Sequence, residues 1–140
     1  MFRRKVYGEL MDWKNKYAPK YAALLEGARR VGKSTVAEEF AKANYRSYIK
    51  VDFANITQEL LNVFDDVADH KLFFLRLQTV TGITLYPRES VIIFDEIQRN
   101  PRMFTALKYI KLENKDITLF WSYRYELLKN NTPYALTKIM

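Results

Sequence analysis

Two of the chain's four glycines, Gly27 and Gly32, stand five residues apart, with Lys33 and Ser34 directly behind. This spacing demands a particular backbone: a strand must end, the chain must turn so that successive N–H groups point inward, and a helix must begin at once. A chain of this size meets the pattern by chance roughly once in a few hundred cases. Its neighbours suit it. Tyr21 to Leu25 is a short apolar run without helical periodicity, as expected of a strand buried on both faces of a parallel sheet. Lys33 to Ala43 carries Val36, Phe40 and Ala41 on one helical face, with no Gly or Pro to break it.

The chemistry of such a loop is polyphosphate binding. Gly27, Ala28, Arg29, Arg30, Val31, Gly32, Lys33, Ser34 and Thr35 form the expected cradle. Lys33 reaches the outer phosphates and counts among the catalytic groups, and the Ser34 hydroxyl holds Mg²⁺.

The rest of the chain alternates strands with helices. Val6, Leu10, Trp13 and Tyr17 predict a helix over about 4–17, ending before Pro19. Tyr48 to Phe53 reads as a second strand, and Asn55 with Gln58 resembles a capping box ahead of Leu60, Leu61 and Phe64. Phe73, Leu77 and Val80 mark a helix that stops at Gly82, with His70 a solvated residue at its start. Residues 86–90 form a loop, and Val91 to Phe94 a wholly apolar third strand. Pro101 opens a helix carrying Met103, Leu107 and Ile110, and Ile117 to Trp121 is a fourth strand. This order predicts an α/β sheet, largely parallel.

The third strand runs directly into Asp95 and Glu96. In open α/β sheets ligands bind beyond the carboxyl ends of the strands, so the acidic pair is expected on the same edge as the phosphate loop. Asp95 would hold Mg²⁺ together with Ser34, and Glu96 would polarise a water for attack on the γ-phosphorus. An Asp-Glu pair there favours water over a substrate hydroxyl as nucleophile, hence hydrolysis over transfer. Guanine specificity is discounted: the nearest approach to Asn-Lys-x-Asp is Asn114-Lys115-Asp116, one residue short and ahead of its strand.

Composition narrows the partners. Cysteine is absent and His70 is the one histidine, which excludes a disulfide framework and disfavours a metal cluster. The amino terminus lacks the continuous apolar stretch of a secretory signal, and no run reaches membrane-spanning length, so a cytoplasmic location without membrane partner is expected. Residues 1–50 hold 12 Lys/Arg against 5 Asp/Glu, while residues 51–140 hold 11 of each. This asymmetry suits a polyanion, either nucleotide or nucleic acid, or a solvated basic surface. No helix-turn-helix, zinc or RNA-binding signature supports nucleic acid.

GARRVGKST, YIKVDF, VIIFDEIQ and the following proline with ALKYI resemble the AAA-type ATPases of bacteria and archaea that carry a C-terminal domain of unknown function. The likeness covers about residues 3–112. It implies a P-loop NTPase three-layer sandwich with a mostly parallel sheet of strand order 5-1-4-3-2, and ATP and Mg²⁺ as ligands. It also implies Gln98 as a further active-site polar residue, a position that equally suits a helix-approach cap, and Ser122 as a catalytic sensor at the end of the fourth strand.

Only 18 residues follow Ser122, too few for the helix, fifth strand and C-terminal region of that pattern. The expectation is therefore a single, shortened ATPase domain over 1–140, with sheet order 1-4-3-2 and no fifth strand. The first strand would then be an exposed edge, prone to self-association and accompanied by slow hydrolysis. Arg124 reads as an exposed helix arginine or, less simply, as an arginine finger. A non-catalytic nucleotide-dependent binding module is the competing function.

Overall fold

The computed structural model describes residues 2–16, 22–27, 33–114, 116, 118–124 and 134–139. Its architecture follows from one strand, β3 (Ser90–Asp95), in which every residue is buried. Four successive apolar side chains leave neither face of this strand for water, so helices must cover both. Val91 and Ile93 pack into a cluster with Leu10 and Trp13 of α1 (Phe2–Lys16) and Ala37, Phe40 and Ala41 of α2 (Lys33–Asn44). Ile92 and Phe94 face the other way, into a cluster fed by α3 (Gln58–Val63), α4 (His70–Thr81) and α5 (Pro101–Glu113). Here Phe94 stacks on Phe53 at 6.3 Å, and Phe64 meets Phe53, Phe73 and Phe94 with ring centroids 5.4 to 6.3 Å apart.

The sheet also holds β1 (Ala22–Gly27), β2 (Ser47–Asp52), β4 (Thr118–Arg124) and β5 (Tyr134–Ile139), in the order β2-β3-β4-β1-β5. The first four strands are mutually parallel, and β5 runs antiparallel to β1. The three-layer α/β sandwich and the order 1-4-3-2 are thus as expected.

The expected absence of a fifth strand is not. β5 pairs with β1 along its whole length, from Ala22 opposite Ile139 to Gly27 opposite Tyr134. An antiparallel neighbour can follow β4 through a short link, whereas a parallel one would need a crossover of a dozen or more residues. In consequence β1 lies inside the sheet, and the basis for self-association through its edge is removed. Arg124 also differs from expectation: it ends β4 opposite Gly27 rather than lying in a helix.

Local signals set the helix ends. Thr57, not Asn55, caps α3, accepting the Leu60 N–H at 3.2 Å. Asp69 caps α4, which ends at Gly82 in the left-handed conformation at φ 71°, open to glycine without strain. His70 does start α4, but it is half-buried, and its Nδ1 lies 2.8 Å from Asn114 Nδ2. Asn114 is the C-cap of α5, so this stretch serves the fold.

Candidate functional site

Because β1, β4, β3 and β2 are parallel, their carboxyl ends share one edge of the sheet, which presents Gly27, Arg124, Asp95 and Asp52. β1 ends at Gly27 and α2 starts at Lys33, the strand and helix that the glycine spacing requires. Lys33, Ser34 and Thr35 form the first turn of α2, whose N–H groups and dipole favour an anion. Ala28, Arg29, Arg30, Val31 and Gly32 lie outside the described residues.

Asp95 and Glu96 stand two strands away from β1, across a distance of roughly 10 Å set by strand spacing. Leu24, Trp121 and Phe94 are level with one another in adjacent strands. Ser122, one residue beyond Trp121, thus stands level with Asp95, one beyond Phe94. Ser122 pairs with Leu25 and lies two residues before the end of β4.

Asp95 is 9% exposed. Its backbone carbonyl accepts the Phe53 N–H at 3.1 Å, and its Oδ1 accepts the Glu96 N–H at 3.1 Å. Glu96 itself is held at φ 57° and ψ 44°, a left-handed conformation that costs a non-glycine residue roughly 1–2 kcal/mol. Strain of this kind persists only where the surroundings over-determine it. Here the fully buried Ile97 pins the far side of the turn, and the Glu96 carbonyl accepts the Arg99 N–H in a single 3-10 turn, Ile97–Arg99. Gln98 lies in that turn. Asn100 then caps α5, its Oδ1 taking the Met103 N–H at 3.3 Å, with Pro101 opening the helix.

A residue the sequence reading passed over joins the two halves. Lys50 of β2 places Nζ 2.6 Å from Oε1 of Glu38, in the second turn of α2, and 3.9 Å from Oδ2 of Asp95. Burial lowers the Lys50 pKa, but the hydrogen bond to Glu38 and the charges of Glu38, Asp95 and Asp52 outweigh it and hold the group above the ordinary lysine value. The ammonium is thus secure at neutral pH. A lysine inside an otherwise apolar strand, YIKV, was the signal.

A parallel-stranded α/β sandwich, with a glycine-spaced strand-to-helix junction and an acid pair closing a neighbouring strand, defines the P-loop nucleotide-binding class of fold. The model of the AAA domain family matches residues 19–135, more than half of the chain. The chain belongs to this family, and its core is of the nucleotide-binding ATPase type. No curated protein sequence matches it. Among solved structures it is similar to PCH-2 of C. elegans, at 13% identity and a TM-score of 0.43 over 93% of this chain. The chain spans 35% of that protein's length.

Proposed function

We propose that the chain binds ATP with Mg²⁺ at the shared strand edge and hydrolyses it. The observation that carries this reading is the placement of the Gly27-to-Lys33 junction and the Asp95-Glu96 turn on one edge, two strands apart, with the turn held in a strained conformation. Lys33 neutralises the outer phosphates, and Glu96 accepts a proton from the attacking water. Ser122 and Gln98 are the polar residues nearest in register to orient that water or the γ-phosphate.

The donor chemistry fits a hard divalent cation. Asp95 keeps Oδ2 clear of any backbone donor described, with the Lys50 ammonium 3.9 Å away. Among the described residues no group of three or more His, Cys, Asp or Glu could hold a metal alone. A Mg²⁺ ion at Asp95 would therefore share its coordination with Ser34, water and the phosphates, as is usual for this ion. It would supply charge neutralisation of the transferring phosphoryl group.

Titration with labelled ATP in the presence of Mg²⁺, followed by phosphate release on the same sample, tests the proposal. Saturable binding with release supports it. Binding without release favours the non-catalytic module, and steeply salt-dependent binding to nucleic acid without ATP binding removes the site.

A further inference from the structure

Lys50 stands among more negative charge than it can balance. Glu38, Asp52 and Asp95 all act on its ammonium, and Tyr48 adds a donor to the same cluster through its hydroxyl, 3.4 Å from Glu38 Oε2. The two contacts of Lys50 are unequal. The 2.6 Å contact to Glu38 is a charge-assisted hydrogen bond, whereas 3.9 Å to Asp95 is attraction without one. The side chains of Lys50, Glu38 and Asp95 are 28%, 28% and 12% exposed, so water screens these charges only in part.

Resting on the nucleotide-site reading above, we propose that Lys50 is a positioning residue that stands in for the divalent cation at Asp95. Glu38 tethers the ammonium within reach, where it offsets the Asp95 charge without saturating Oδ2 by a hydrogen bond. An arriving cation of higher charge displaces it, and Lys50 gives up only its longer contact while the bond to Glu38 remains. Two consequences follow. Asp95 keeps its place at the end of β3 before the metal binds, and a bare cation meets an occupied site, which favours entry of the metal together with the nucleotide's phosphates. Lys50 also joins α2, which opens at Lys33, to the strand that carries the acid pair.

The test is a Mn²⁺ titration followed by electron paramagnetic resonance, with and without a non-hydrolysable ATP analogue, on the full chain. Lys50→Met is expected to tighten Mn²⁺ binding by roughly tenfold in both conditions, because a nearby positive charge has been removed. Lys50→Arg is expected to bind as the parent does. A merely structural lysine would give the opposite sign, with weaker binding in step with lost stability. Unfolding midpoints are read on the same samples, and Lys50→Gln replaces the methionine variant should that one fail to fold. Unchanged or weaker Mn²⁺ binding in a folded, uncharged variant overturns the placeholder role while leaving parental analogue binding, and so the nucleotide reading, intact. A parent that binds Mn²⁺ but no analogue, with the Lys50→Met effect present, removes the nucleotide reading and leaves the placeholder. A folded parent that binds neither removes both.

Discussion

Asp52 and Asp95 are partners on the last rung of the parallel β2–β3 ladder, two acidic residues side by side at the ligand edge. Their carboxylates are committed differently. Asp52 uses both oxygens on its own turn, Oδ1 accepting the Ala54 N–H at 2.9 Å and Oδ2 the Asn55 side-chain amide at 3.2 Å. Asp95 gives only Oδ1 to the chain, through the Glu96 N–H. Asp95→Asn is therefore expected to weaken Mg·ATP binding by about tenfold or more, the size of one lost charge-assisted contact. Asp52→Asn should leave it near the parent value. Calorimetry on both variants checks this, and equal losses would refute the division of roles.

Lys33→Ala removes the cation that the loop spacing places against the β and γ phosphates. A loss of roughly 10- to 100-fold in ATP affinity is expected, since hydrogen bonds between charged groups are worth about 1.5–3 kcal/mol. Equilibrium binding of labelled ATP measures it, and undiminished affinity would dismiss the assignment.

Glu96 offers a separation of function from stability. Glu96→Gln should keep Mg·ATP binding and slow phosphate release by about 10²- to 10⁴-fold, the usual range for a lost general base. Glu96→Gly should lose turnover as well, yet gain roughly 1 kcal/mol of folding stability, because glycine adopts the left-handed conformation without the Cβ penalty. Phosphate release and denaturant unfolding on both variants are the measurements.

Lys111 makes stability pH-dependent. It is 1% exposed; burial pulls its pKa down to about 8 from the ordinary 10.5, against the opposing charge of Asp116. Between these values the unfolded chain holds more protons than the folded one, so stability rises with pH across the window, by up to about 1.4 kcal/mol per unit. Lys111→Met should flatten that rise and stabilise the fold at pH 7. Thermal unfolding from pH 7 to 10.5 follows it, and an unchanged slope in the variant would count against the effect.

Removal of residues 134–140 strips β5 from β1 and leaves a row of unpaired N–H and C=O groups beside an apolar strand. Light scattering is expected to show self-association of the shortened chain at concentrations where the parent stays dispersed. A shortened chain as dispersed as the parent would mean that this edge is covered some other way.

The elements that the sequence made legible share one property: their signal is local. β3 is readable because four apolar residues in a row suit no other environment, and α4 because Gly82 stops it where a left-handed cap is needed. The phosphate-loop junction and the Asp95-Glu96 turn belong to the same kind. β5 was missed because the argument assumed a parallel strand with its crossover helix, whereas Tyr134-Ala-Leu-Thr-Lys-Ile139 needs only an antiparallel return. Lys50 was missed for a different reason. Its partners lie 12 positions back, at Glu38, and 45 ahead, at Asp95, and only the β2–β3 register brings them together. The left-handed backbone of Glu96 has no sequence signal at all, since glutamate is a poor choice for it.

The interior position of β1 sets the order in which the molecule assembles. Its neighbours are the last two strands of the chain, so nothing made before Thr118 can pair with it. On a ribosome adding about 5–20 residues each second, β1 waits roughly 5–20 s for its first partner. The β2–β3 pair with α3 and α4 can collapse meanwhile, since its contacts are nearer in sequence. The segment that builds the phosphate loop is thus the last part of the sheet to be sealed, and during synthesis it is the stretch that a chaperone would find open.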